Sequence, residues 1–186
     1  MMAGVDTIEH EIQKAQLTQA YRRRRPIYLG EHCYDPRLAS KESVALLQER
    51  QLTAHQQVWD AETRGRTTYE HLPSVEARRQ AKWIEPSHYL SQYLSGHGNF
   101  KAKLRKFSLV RSAQCRCGKI DTVEHTFREC VILESIRTRY KEALAEKGIA
   151  WPVSAVKALS GKAFEDTVTY AKDVMREKEK WDRPPQ

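Results

Sequence analysis

Three cysteines and one histidine lie close together in the chain and form the pattern C-x-C-x7-H-x4-C. These residues are Cys115, Cys117, His125 and Cys130. Three thiolates and one imidazole are a standard ligand set of zinc, which prefers a tetrahedron of soft or borderline donors. Because this set leaves no open position for water, the spacing predicts a structural zinc site.

The spacing of the motif also constrains the backbone. The two cysteines that are one residue apart must lie on a sharp turn, which Gly118 can provide. On an α-helix, His125 and Cys130 would be about 500° apart at ~100° per residue, so the helix is expected to start or distort there. The alternative of unrelated buried thiols and a surface histidine is disfavoured, because Cys33 is the single cysteine outside the motif.

The charge of the chain points to an acidic partner such as nucleic acid. The 186 residues carry a formal net charge of +8. Residues 86–120 contain no Asp or Glu, and this stretch carries the cations Lys101, Lys103, Arg105, Lys106, Arg111, Arg116 and Lys119. The alternative is that these cations form only a solvated face.

The sequence also bears on the compartment. Four cysteines in metal-like spacing fit a reducing compartment better than a disulfide scaffold. No secretory hydrophobic region and no apolar run of about 18 residues is present, so a nuclear or cytoplasmic location without membrane contact or secretion is expected.

Helical periodicity and capping residues predict an all-α class, an irregular helical domain around a small CCHC zinc turn. Helices are expected over residues 6–20, from Ser40 to about Arg64, after Ser74, and from Ser87 to Gly96. Residues 26–39 are expected to form a loop. We predict four segments: an N-terminal helix and basic loop (1–39), a helical region (40–107), the zinc knuckle (108–135) and C-terminal helices (136–186).

A basic helix is expected just before the motif. Asn99 is predicted to cap it, and Phe100, Leu104 and Phe107 repeat at helical spacing. This spacing favours core packing over base stacking. After the motif, helices are expected over residues 131–146, after Pro152 as the first helical residue, and over about 164–175.

The residues supply no catalytic site. Paired carboxylates suited to a two-metal site, a glycine-rich phosphate loop, G-x-S-x-G and H-E-x-x-H are all missing from the sequence. Glu124, beside His125, is either a hydrogen-bond acceptor for a zinc-bound histidine or a plain surface residue. We therefore assign no catalytic residue.

Several short motifs occur in a recognisable order. They are W-x5-G-R-x-T-Y-x3-P from Trp59 to Pro73, Q-x-L-S-G-H-G-x-F from Gln92 to Phe100, the basic helix, and the cysteine motif. Over residues 55–135 this order resembles the C-terminal part of insect non-LTR retrotransposon Pol polyproteins, in particular those of type-1 elements that insert into ribosomal DNA.

The resemblance implies a parent protein with an endonuclease and a magnesium-dependent reverse transcriptase, an RNA-directed DNA polymerase, whose catalytic acids lie outside this chain. It implies zinc ligation by the four motif residues and binding of template RNA or target DNA. An alternative is a non-catalytic, zinc-stabilised helical interaction module from a decayed or domesticated element. The resemblance assigns no role to the Gly96-His97-Gly98 segment.

Overall fold

The computed structural model describes residues 8–29, 32–35 and 41–182. The described helices are α1 (Ile8–Arg23), α2 (Lys41–Ala61), α3 (Arg66–His71), α4 (Val75–Gln80), α5 (His88–Ser95), α6 (Lys101–Lys106), α7 (Glu134–Glu146), α8 (Ala155–Ala158) and α9 (Phe164–Asp182). Two short strands, β1 (Ile27–Leu29) and β2 (His32–Tyr34), pair as an antiparallel hairpin. The described residues are thus mainly helical, which confirms the predicted all-α class.

The chain divides into two compact units. One comprises Ala3–Glu62 and Ser74–Gln80, and the other comprises Thr63–Pro73 and Ala81–Gln186. The predicted division into four segments stays a prediction.

The first unit contains α1, the hairpin, α2 and α4. Helix α2 packs against α4, and the Val75 amide donates to the Gln56 side-chain oxygen at 2.8 Å. Ser74 caps α4 as predicted, because its hydroxyl accepts from the Ala77 amide at 3.1 Å. The hairpin occupies part of the stretch predicted as loop, since its strands are rich in β-prone aliphatic and aromatic residues. The predicted cap Ser40 lies outside the described residues.

In the second unit, α5 begins and ends where its capping residues predict. The Ser87 hydroxyl accepts from the Leu90 amide at 3.3 Å, and Gly96 ends the helix in the left-handed conformation with φ 67°. Leu90 and Leu94 on the inner face are buried. Helix α3, which the sequence patterns do not predict, follows Gly65 directly.

Two predicted helix starts are wrong. Helix α6 has Phe100, not Asn99, at its N-cap position, and a carboxylate from elsewhere in the chain accepts its first amide. Helix α8 begins three residues after Pro152, at Ala155, and the Ser154 hydroxyl accepts from the Lys157 amide. In both cases the helix starts where a side-chain oxygen accepts an amide of its first turn, Asp121 for α6 and Ser154 for α8.

The core of the second unit surrounds the Phe127 ring. Its centroid lies 4.5 Å from that of Tyr93, 6.3 Å from Phe100 and 5.6 Å from Tyr170. Tyr170, on α9, stacks on Tyr140 of α7 at 4.3 Å. Phe127 belongs to the segment that carries the cysteine motif, so this segment shares one core with the C-terminal helices.

Candidate functional site

A tight turn presents the first two cysteines. Gln114 and Ile120 form an antiparallel bridge that closes it. Within the turn, the Cys115 amide donates to the Lys119 carbonyl at 2.8 Å, and the Gly118 amide donates back to the Cys115 carbonyl at 2.9 Å. Gly118 has a φ of 90°, which a residue with a Cβ rarely adopts. The structure thus uses Gly118 for the sharp turn that the C-x-C spacing requires.

A π-helical turn presents the other two motif residues. It spans His125–Glu129, and the Cys130 amide donates to the His125 carbonyl at 2.8 Å. An i→i+5 bond widens the turn, so residues five positions apart come closer to one face than on an α-helix. This is the helix distortion that the x4 spacer predicts.

The four motif side chains converge. Their ligand atoms all lie within 4.8 Å of one another. The Sγ atoms of Cys115 and Cys130 are 3.7 Å apart, and Cys117 Sγ lies 3.1 Å from His125 Nε2. A tetrahedral zinc with bonds of about 2.3 Å to sulfur places neighbouring sulfurs about 3.8 Å apart, whereas a disulfide requires about 2.05 Å. The Cys115–Cys130 spacing matches that geometry, and the four converging donors could hold a metal ion.

The surroundings of the first two motif cysteines shift the pKa values of their thiols in opposite directions. Burial raises the pKa of the Cys115 thiol, because a thiolate is poorly solvated there. Burial is the largest single influence on the Cys117 thiol and acts to raise its pKa, but hydrogen bonds from the Lys119 amide and from the Cys115 and Cys130 thiols together outweigh it, so the pKa is lowered. A divalent cation would supply the charge that stabilises a buried thiolate, at the cost of releasing a proton.

The Nδ1 atom of His125 faces the carboxylate of Glu129 and not that of its sequence neighbour Glu124. His125 Nδ1 is buried and lies 3.7 Å from the Glu129 carboxylate, beyond hydrogen-bond length. Glu124 instead points outward and forms an ion pair with Arg128 at 3.3 Å. Of the two roles considered for Glu124, the structure supports the surface residue.

Arg137 on α7 supports the backbone of the motif. Its side chain is 2% exposed and donates to the carbonyl of Cys130 at 2.7 Å and to that of Phe127 at 3.3 Å. The Tyr170 hydroxyl on α9 also donates to the Phe127 carbonyl. These bonds tie the backbone of the π-helical turn and of Cys130 to the C-terminal helices.

A buried ion pair ties the same region to the end of α9. Lys178 Nζ lies 2.5 Å from Asp121 Oδ1, and the two side chains are 3% and 2% exposed. Asp121 also accepts from the Thr126 hydroxyl at 2.8 Å and from the Lys101 amide at 3.0 Å. One carboxylate therefore joins three places: the start of α6, the end of α9 and the π-helical turn. It also directly follows the tight turn from Gln114 to Ile120, which presents Cys115 and Cys117 and is called the metal turn below.

The seven predicted nucleic-acid-binding cations all reach the surface. Lys101 and Lys103 are half-buried, and the other five are exposed, namely Arg105, Lys106, Arg111, Arg116 and Lys119. Lys103 and Lys106 line one cleft, and the Arg105 guanidinium donates to the Arg111 carbonyl.

The two cations on the metal turn contact other groups. The Arg116 guanidinium lies 5.9 Å from the Trp181 ring on α9, and Lys119 Nζ lies 3.9 Å from the Glu129 carboxylate. Both side chains are exposed, so these contacts are weak and open to competition by a phosphate.

The core prediction for Phe107 is wrong. Phe100 is 1% exposed, but Phe107 is 61% exposed and Leu104 is half-buried. Helix α6 ends at Lys106, so the helical spacing no longer directs the next side chain inward. Lys103 Nζ lies 5.8 Å from the exposed Phe107 ring.

Sequence patterns do not identify several residues that support the site, including Asp121, Arg137, Tyr170 and Lys178. All are charged or polar residues in helices or loops, and their partners are distant in sequence. A signal was available only for Asp121, which is the first acidic residue after the acid-free stretch.

No helix among the described residues has the length and apolar character that crossing a bilayer requires.

Known proteins similar to this chain are Pol polyproteins of insect retrotransposons. No protein-family model matches the chain, and no solved structure matches it significantly. Three relatives carry the name retrovirus-related Pol polyprotein from type-1 retrotransposable element R1. A protein of Nasonia vitripennis is 40% identical over 81 residues, which are 42% of this chain and 21% of the relative.

The other two relatives come from different insects. A protein of Bradysia coprophila is 35% identical over 101 residues, which are 54% of this chain and 10% of the relative. One of Popillia japonica is 31% identical over 134 residues, which are 69% of this chain and 50% of the relative. The match therefore spans half or less of each of these relatives. The chain is related to a segment of the R1-element Pol polyproteins, which confirms the resemblance identified from its motifs.

Proposed function

We propose that this chain is a nucleic-acid-binding segment of a Pol polyprotein, in which a structural zinc organises the fold. Zinc would be held by the four motif residues, Cys115, Cys117, His125 and Cys130. The observation that carries the proposal is the convergence of these ligands beside a stretch that has seven cations and no acid. A polyanion is the partner that such a stretch suits.

In this proposal the segment holds template RNA or target DNA close to the polymerase of the parent protein. Reverse transcription, with its magnesium ions, and endonucleolytic cleavage would belong to other parts of the polyprotein. The role of this segment is affinity and positioning, because phosphate contacts fix the register of a nucleic acid without reading its sequence.

A salt titration tests this function. Binding of a fluorescein-labelled single-stranded RNA to the zinc-loaded chain is followed by fluorescence anisotropy between about 50 and about 200 mM salt. Seven phosphate contacts predict a slope of log K against log salt of about −5, since each contact on a single strand contributes about −0.7.

Matched variants separate specific from general charge effects. Lys103→Gln combined with Lys106→Gln removes two phosphate contacts and should make the slope of log K against log salt less negative by about 1.4. Lys172→Gln combined with Arg176→Gln removes two exposed charges on α9 and should leave the slope unchanged. Absence of RNA and DNA binding even at the lowest salt would refute the proposed function and favour a zinc-stabilised interaction module.

A further inference from the structure

The second unit contains a cleft of about 560 Å³ that the metal turn does not account for. Chain segments far apart in sequence form its walls: residues 63–67, residues 95–97, helix α6 and residues 122–123. Four cations line it, namely Arg64, Arg66, Lys103 and Lys106. Among the described lining residues there is no carboxylate.

The dimensions of the cleft make its cations act together. A cube of 560 Å³ has an edge of about 8 Å, which is close to the Debye length at physiological salt. Cations around such a concave space therefore add their potentials at its centre. An anion that enters the cleft interacts with several cations at once.

Arg66 is oriented by an aromatic partner. Its guanidinium lies 3.7 Å from the centroid of the Tyr69 ring. Stacking fixes the plane of the guanidinium and so reduces the entropy lost when its N–H groups bind a phosphate.

Two motifs without a role in the metal site meet at this cleft. Gly65 and Gly96 both lie on its wall in the left-handed conformation, with φ 68° and φ 67°. A Cβ on Gly96 would lie 3.4 Å from Thr67 Oγ1 and 3.5 Å from Val123. The G-R-x-T-Y and L-S-G-H-G motifs thus bring three chain segments close together around one concave surface.

Gly98, in the same motif, has a different role. A Cβ there would lie 2.2 Å from the side-chain oxygen of Gln92, which also accepts from the Asn99 amide at 3.3 Å. Gly98 lets the chain turn tightly against α5, whereas Gly96 shapes the cleft. The glycines on either side of His97 therefore serve packing and cleft geometry respectively.

The cleft has the size and lining of a nucleotide site. Its volume falls within the range of about 300–1,000 Å³ that is typical of small-molecule sites and is generous for a bare phosphate. Phe100, Ala102 and Val123 add an apolar wall, while Thr63 and Thr67 add hydroxyl groups. A cleft of this volume holds one or two nucleotides, which is far less than a duplex whose major groove alone is about 12 Å wide.

We propose that this cleft binds the sugar–phosphate backbone of a single nucleic-acid strand over one or two nucleotides. The proposal rests on the proposed function and names the site at which the strand is held. Lys103 and Lys106 belong to both surfaces, so the cleft would continue the basic surface of α6 into a defined pocket.

The test uses a ligand too short to span the basic surface. A 5′-phosphorylated uridine dinucleotide is titrated into the zinc-loaded, isotopically labelled chain, and amide shifts are followed by NMR. Saturable shifts are expected at the amides of Gly65, Thr67 and Gly96, which line the cleft. Arg64→Gln combined with Lys106→Gln should weaken dinucleotide binding at least tenfold. The charge-matched control, Lys172→Gln combined with Arg176→Gln, should stay within twofold of the unmodified chain.

Several outcomes would overturn the cleft assignment. In one, the full chain binds RNA but the dinucleotide causes no saturable shifts at the cleft amides. In another, the Arg64→Gln/Lys106→Gln variant binds the dinucleotide as tightly as the unmodified chain does. Equal affinity for inorganic phosphate and the dinucleotide would show an ion site rather than a strand site. Each of these leaves the proposed function standing, whereas loss of all RNA binding by the unmodified chain refutes both.

Discussion

The ion pair between Asp121 and Lys178 provides the sharpest test of how the metal turn is held in place. Both charges are almost fully buried, 2.5 Å apart. Removing one member of such a pair leaves an uncompensated buried charge and costs about 3–5 kcal/mol, whereas replacing both by neutral groups is close to neutral. The remaining partners of each charge decide where in that range a substitution falls.

The substitutions Lys178→Met and Asp121→Asn should lower the unfolding free energy by different amounts. In Lys178→Met, the carboxylate keeps the Lys101 amide and the Thr126 hydroxyl as donors, so the loss should be near 3 kcal/mol. In Asp121→Asn, the ammonium loses its counter-charge and keeps only neutral partners among its described contacts: the amide oxygen introduced at position 121, the Thr126 hydroxyl at 3.3 Å and the face of the Phe100 ring at 5.1 Å. This loss should be near 5 kcal/mol.

The double variant Asp121→Asn/Lys178→Met should lose only about 1–2 kcal/mol of unfolding free energy relative to the unmodified chain, because no buried charge remains. It should therefore be more stable than either single variant. Urea unfolding of the zinc-loaded chain, followed by circular dichroism, measures the three values. A loss of 5 kcal/mol can exceed the total stability of a domain, so the series is run in a stabilising osmolyte. Additive losses, or single losses below about 1 kcal/mol, would refute the buried pair.

Three further predictions concern the metal, an exposed ring and a buried histidine. Metal analysis of the purified chain should find one zinc per molecule, and Cys117→Ser or chelation should unfold at least residues 108–135, because binding free energy is folding free energy in such modules; normal folding without metal would contradict the site. Phe107→Ala should cost less than about 1 kcal/mol in urea unfolding because the ring is exposed, whereas Phe100→Ala should cost about 3–5 kcal/mol; the reverse order would contradict the described packing. Burial lowers the pKa of His71, so the unfolded chain binds more protons and stability should fall as pH drops below about 6.5. His71→Asn keeps a donor for the Thr67 carbonyl, and its unfolding free energy should fall less steeply as pH drops. An unchanged dependence of the unfolding free energy on pH would show that His71 does not cause the acid destabilisation.

The local features of this protein could be predicted from residues that are close together in the chain. The ligand spacing, the turn at Gly118, the distortion between His125 and Cys130, and the ends of α5 at Ser87 and Gly96 all follow from residues a few positions apart. Such features depend on backbone sterics and on hydrogen bonds between residues close in sequence, so they need no partner from elsewhere in the fold.

Features that depend on partners distant in sequence could be assigned only from the folded chain. Asn99 is a good cap by composition, yet the Asp121 carboxylate accepts the first amide of α6, because the fold places it there. Phe107 has core spacing, but no element covers it once α6 ends. Periodicity reports which residues share a face and does not report whether another element packs on that face.

The cleft shows the same limit most clearly. Its cations come from two stretches separated by more than thirty residues, and its glycines belong to two motifs that the sequence shows only as adjacent in order. The sequence determined that basic residues and glycine turns are present. They meet around one space only because α3, α5 and α6 pack in the second unit. Burial of apolar surface in the core offsets the entropy cost of closing the long loops between them, and this balance leaves no local pattern in the sequence.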